Sequence, residues 1–108
     1  MSTRLPGAKY KRVFDRGRPT KGRSLVAWRF SNPDADRKAG VVVSRKTFHD
    51  AVDRNRAKRL MRESFRLLVK EGLAPENTEW IFIARAAIKG MSCGEVKAEM
   101  LKLFKRNV

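Results

Sequence analysis

The chain has 108 residues, enough for one domain with a modest two-layer core and too few for two. Its 26 Lys and Arg against 11 Asp and Glu leave a net charge of +15, spread along the whole length. That surplus points to a nucleic acid partner and away from a membrane, because no apolar run of about 20 residues is present to span one.

The first seven residues lack the apolar run of a secretory signal, and the single Cys93 has no internal disulfide partner. Both features lead to the expectation of an intracellular, cytoplasmic protein. Residues 1–108 are read as a single RNA-binding domain with residues 1–8 as a flexible arm.

Residues 9–17 read as a short helix ended by Gly17, with Tyr10, Val13 and Phe14 on one face. Core packing is the ordinary role of such aromatics; the basic neighbours Lys9, Lys11 and Arg12 favour the alternative that they stack on nucleotide bases. Residues 18–23 are basic and contain Pro19 and Gly22, a loop or a short edge strand. Residues 24–30 alternate, with Val26, Trp28 and Phe30 on one side and Leu25, Ala27 and Arg29 on the other, as in a strand. Asn32 to Asp36 then turns the chain, and Asp34 and Asp36 are read as turn residues rather than metal ligands.

Residues 40–44 are a β-branched run of the kind found inside a sheet, with Arg45 and Lys46 at the exit. A long helix follows, capped by Thr47 or Asp50 and running to about Glu71 before Gly72. Asp50 and Asp53 lie in its first turn, where the helix dipole favours anions. Residues 73–78 form a loop, and residues 79–85 form another strand. Ser92 and Glu95 have the spacing of a capping box, and Val96, Met100, Leu103 and Phe104 repeat at helical intervals behind them. The order α-β-β-α-β-α describes an α/β (α+β) two-layer sandwich, one mixed sheet with three helices packed on it.

The long helix carries the strongest signal. Residues 54–66 contain six cations and one carboxylate. At about 100° per residue, Ala57, Leu60, Met61, Ser64 and Leu68 share one side, while Arg54, Asn55, Lys58, Arg59, Arg62 and Arg66 share the other. Such a ridge repels itself unless its apolar side is packed and a polyanion covers the outside. Glu63 is spaced to pair with Arg59 and Arg66 and so to hold those arginines in position.

Catalytic chemistry is sparse. His49 and Cys93 are the only residues of their kinds, too few for a triad or a zinc site, and no glycine-rich phosphate loop precedes a helix. Binding remains, through arginines that grip phosphates, Asn55 that positions a base or sugar, and aromatics that stack. Six phosphate contacts would make log K fall with log salt at a slope of roughly −4 to −5.

Ser44-Arg45-Lys46, followed by Ala51-Val52, Arg54-Asn55-Arg56, Lys58-Arg59, Arg62-Glu63 and Phe65-Arg66, resembles the signature of the bacterial ribonuclease P protein subunit. Tyr10 and Phe14 ahead of Gly17 are similar to that family's N-terminal aromatic pair, and residues 80–85 to its third-strand run ending in Ala-Arg. The departures are Arg45, where the family more often has Lys, and Tyr10, where Phe is usual. The likeness covers residue 5 to the end and is strongest over 40–66.

The resemblance implies a four-stranded sheet with a left-handed crossover around the signature helix, where the general rule favours a right-handed one. It implies an RNA catalyst using Mg²⁺, with the protein assisting removal of the 5′ leader of precursor tRNA. By the same resemblance Arg54, Asn55, Arg56, Lys58, Arg59, Arg62 and Arg66 contact ribonuclease P RNA. Tyr10, Phe14, Arg45 and Lys46 belong to a cleft for the leader. The alternative is a small ribosomal or other RNA-structural protein without a processing role.

Overall fold

The computed structural model describes residues 3–106. Its elements are α1 (Tyr10–Arg16), β1 (Arg18–Lys21), β2 (Leu25–Ser31), β3 (Lys38–Val42), α2 (Ala51–Lys70), β4 (Thr78–Ala84) and α3 (Cys93–Arg106). Single 3₁₀ turns over Gly7–Lys9 and Ala86–Gly90 precede α1 and α3. The strands form one mixed sheet in the order β1-β2-β4-β3, with β3 and β4 parallel and the other pairs antiparallel. The β3-α2-β4 crossover therefore joins neighbouring parallel strands.

Residues 18–21 settle as the edge strand, where Pro19 withholds a backbone donor without breaking an interior ladder. The β-branched run is displaced from its expected place. β3 spans Lys38–Val42 and ends the sheet, whereas β4 lies inside it beside β2 and is buried at every residue but Ile83. β3 has the apolar character of an inner strand because both its faces and its outer edge are covered. Ala39 donates its N–H to Thr3 O (2.8 Å) and accepts from the Leu5 N–H (3.0 Å), so the N-terminal segment, expected as an arm, lies along this edge from Thr3 onward.

The alternation of β2 divides the domain into two cores. Leu25 and Ala27 face Trp80, Phe82, Met61, Phe65, Leu68, Met100 and Phe104 in the larger one, between the sheet and the α2–α3 pair. Phe30 and Ile81 join Val13 and Leu5 in the smaller one, under α1 on the opposite face. Within α2, Ala57, Met61, Ser64 and Leu68 are buried as their spacing requires; Phe65 joins them, and Leu60 packs at the margin. Gly72 ends the helix with φ of 73°, a left-handed conformation that costs glycine little.

The capping box at α3 forms in both directions. Glu95 N–H donates to Ser92 Oγ (3.2 Å), and Ser92 N–H donates to Glu95 Oε1 (3.1 Å). The Ser92 N–H, and after it the Ser92 hydroxyl, hold the Glu95 carboxyl below the usual range. At α2 the N-cap position is Asp50, but its side chain makes no cap bond; there the loop is tied instead by an arginine, described below.

Candidate nucleic-acid interface

Two candidate surfaces lie on different sides of the sheet, one basic and one apolar. The first is the outer face of α2, which the periodicity of its buried residues forces away from the core. Asn55, Lys58, Arg59, Arg62, Glu63 and Arg66 line a groove of about 530 Å³, and Thr3 and Arg4 of the N-terminal segment form its other wall. Arg66 grips Glu63 through two bonds, Nη2 to Oε1 at 2.6 Å and Nε to Oε2 at 3.1 Å. Of the two partners that spacing allowed Glu63, Arg66 is the one that bonds it. The Arg66 guanidinium holds the Glu63 carboxyl below its ordinary range and is itself held charged.

Arg54, expected on that ridge, and Arg56, which the resemblance adds to the RNA contacts, point elsewhere. Arg54 Nη1 donates to the carbonyls of Phe48 (2.9 Å) and His49 (2.8 Å). Arg56 donates through Nη1 to Lys89 O (3.0 Å) and through Nη2 to Met91 O (2.9 Å). Neither lines the groove.

The second surface is the sheet face under α1. The helix covers the end holding Phe30, Glu79 and Ile81, which are buried, and leaves Val26, Trp28, Val42 and Ile83 half-buried beside it. These four residues floor an apolar cleft that the strand alternation foreshadowed in Val26 and Trp28. Phe14 stands edge-on to Trp28, ring centres 5.2 Å apart at 76°. Tyr10 lies over Gly40 so closely that a Cβ there would overlap its ring, and its Oη accepts the Val41 N–H at 3.2 Å. The Tyr10 hydroxyl thus closes the edge of β3 just beyond the N-terminal segment. Arg45 and Lys46 are exposed in the turn after β3, where the Lys46 N–H donates to Ser44 Oγ (3.1 Å).

Sequence reasoning missed the group that seats α1. Glu79, fully buried on the same sheet face, accepts from Arg12 Nε (3.0 Å) and Nη2 (2.6 Å), with Lys9 Nζ at 3.7 Å. Arg12 also lies over the Phe30 ring, 5.0 Å from its centre. The bond to Glu79 raises the Arg12 pKa further above its ordinary value. A carboxylate at the start of an apolar strand was the available signal, since a buried Glu needs a cation within reach.

Other polar candidates stay apart. His49 is exposed, and Cys93 lies near Ser64, Sγ to Oγ 3.6 Å. Asp36 faces Lys9 and Lys38, and the Asp34 N–H is bound by Asn32 Oδ1 in the turn. Among the described residues no three His, Cys, Asp or Glu side chains gather as metal ligands, and no helix is long and apolar enough to cross a membrane.

Fold and surface together define a class: a small, strongly basic α+β domain built around a cationic helix, with a half-covered apolar cleft on the far side of its sheet. Comparison with known proteins narrows the class. A family model described as ribonuclease P matches residues 5–108. The ribonuclease P protein component of Pelotomaculum thermopropionicum is 38% identical over 97 residues, covering 90% of this chain and 84% of that protein. Its counterpart from an Exiguobacterium species is 36% identical, covering 90% and 82%. The RNase P protein from Thermotoga maritima superimposes with a TM-score of 0.79 at 27% identity, covering 95% of this chain and 96% of that one. A Staphylococcus aureus RNase P protein gives 0.77 at 27% identity, covering 98% and 95%. The chain belongs to the ribonuclease P protein component family.

Proposed function

We propose that the chain acts within a ribonucleoprotein ribonuclease P, where it binds the catalytic RNA and the 5′ leader of precursor tRNA and assists endonucleolytic removal of that leader. The observation that carries this reading is the opposition of the two surfaces. A helix packed on one sheet face offers its cations to one RNA, and a cleft on the other face is free for a second.

In the groove, Asn55, Lys58, Arg59, Arg62 and Arg66 meet a folded RNA, and Arg54 and Arg56 of the same signature lie outside it. Guanidinium groups suit phosphate oxygens because their planar fork donates two parallel bonds. In the cleft, unpaired leader bases rest on the apolar floor and against Phe14 and Tyr10, while Arg45 and Lys46 neutralise the phosphates that follow. Bond cleavage is assigned to the RNA partner. The Mg²⁺ that the family implies is assigned to the RNA in this reading; among the described residues no three His, Cys, Asp or Glu side chains gather to hold a metal ion.

The division between surfaces is tested by comparing precursor tRNA with mature tRNA as ligands of the assembled particle. Phe14→Ala should reduce affinity for the leader-bearing RNA and leave mature tRNA unaffected. Base-on-aromatic stacking is worth about 1–3 kcal/mol, so a loss of about fivefold or more is expected. Equal effects on both RNAs would remove the cleft from the assignment.

A further inference from the structure

The Arg-Asn-Arg at the start of α2 is a single run in the sequence but three separate directions in space. At about 100° per residue, Asn55 points along the middle of the groove while Arg54 and Arg56 fall on its two flanks. Asn55 lines the groove; its two neighbours do not. We infer that Arg54 and Arg56 are positioning residues that fasten the two loops flanking α2, and that phosphate contact falls to Lys58, Arg59, Arg62 and Arg66. This rests on the reading of the groove as the site of the catalytic RNA.

Helical side chains lean toward the N-terminus, which carries Arg54 back over the residues that precede its own helix. Its Nη1 joins the carbonyls of Phe48 and His49 immediately ahead of Asp50, the N-cap position whose carboxylate makes no cap bond. The loop so tied is the one that presents Arg45 and Lys46. Arg56 reaches the other way, and its two Nη atoms bridge the carbonyls of Lys89 and Met91 at the entry to α3. At Arg56 two nitrogens of one rigid fork hold two carbonyls, a geometry that the single ammonium of Lys, a point donor on a flexible stem, does not reproduce; at Arg54 both carbonyls share Nη1. The carbonyl oxygens engage Nη1 of Arg54 and both Nη atoms of Arg56, and they hold the two guanidinium groups against the protein, outside the groove.

The role separates from a phosphate ligand's in its salt dependence and in its rescue. Removing one cation from a phosphate flattens the slope of log K against log salt by about 0.7–0.9. For the protein binding its catalytic RNA, Arg59→Gln should flatten the slope by that amount, and Arg54→Gln and Arg56→Gln should leave it at the wild-type value. Affinity should still fall in the last two by about three- to tenfold, the scale of one or two hydrogen bonds that preorganise a surface. Arg56→Lys keeps the charge and loses the fork, so it should lose as much affinity as Arg56→Gln, whereas Arg59→Lys should recover most of it. In Arg54→Gln the affinity gained from the leader should fall as well, because Arg45 and Lys46 lose their support. A flatter slope in Arg54→Gln or Arg56→Gln, or recovery by Lys at position 56, would overturn the inference. Wild-type protein that fails to bind the RNA with any salt slope would instead sink the functional reading beneath it.

Discussion

The contact between Tyr10 and Gly40 gives the sharpest test of how α1 is seated. In Gly40→Ala the added methyl would overlap Tyr10 Cζ, Oη and Cε1, so the ring must swing off the sheet. Swinging breaks the bond from the Val41 N–H to Tyr10 Oη, and a part-buried amide left unpaired costs about 1 kcal/mol. Repacking the ring adds about 1 kcal/mol, and replacing glycine in an extended strand returns about 0.5 kcal/mol through the unfolded chain. The net loss is about 1.5 kcal/mol. Tyr10→Ala alone should cost about 2 kcal/mol, less than a fully buried aromatic because the ring is only half covered. With the ring gone the methyl meets nothing, and the hydrogen bond from Val41 is already missing. Gly40→Ala in the Tyr10→Ala background should then be neutral or stabilising by about 0.5 kcal/mol. The double-mutant cycle, read from urea unfolding of the four proteins, should show a coupling of about 2 kcal/mol. Additivity within about 0.5 kcal/mol would refute the reasoning.

Two further outcomes follow from the buried and capping carboxylates. Glu79→Gln should destabilise the domain by about 1–3 kcal/mol in urea unfolding, less than the 3–5 kcal/mol of a fully buried pair because Arg12 reaches water when released; no loss would mean that the Arg12–Glu79 pair does not seat α1. The Glu95 carboxyl is held below its ordinary value of 4.5 by the Ser92 N–H. Its contribution to the start of α3 is therefore present above that value and lost as pH falls through the lower, folded value. The protection factors of the amides at residues 95 and 96, with the intrinsic exchange rate at each pH divided out, should fall on acidification in the wild type, and Ser92→Ala should weaken that pH dependence.

Features set by near neighbours in the chain are legible in the sequence. The four core positions Ala57, Met61, Ser64 and Leu68, the stop at Gly72 and the Ser92–Glu95 box each depend on residues close by along the chain. The features that differ are those that depend on distant partners. The apolar run 40–43 reads as an inner strand, and only the N-terminal segment and Tyr10 reveal that β3 is an edge that has been covered. Glu79 reads as a strand terminus until Arg12, 67 residues away, is seen to bond it. The helical wheel overcounts the ridge for the same reason. It assigns Arg54 to the outer face but carries no information about the carbonyls of Phe48 and His49 that bend the side chain back. The cleft is legible in its aromatic pair, whereas its floor, which includes Val42 and Ile83, requires the strand order.

The most direct test of the account is single-turnover cleavage of precursor tRNA by the catalytic RNA at low salt and low Mg²⁺, with and without the protein. The account predicts faster cleavage with the protein present, none with the protein alone, and a smaller gain when the substrate's 5′ leader is cut short. No gain on adding the protein, or cleavage by the protein without RNA, would contradict it.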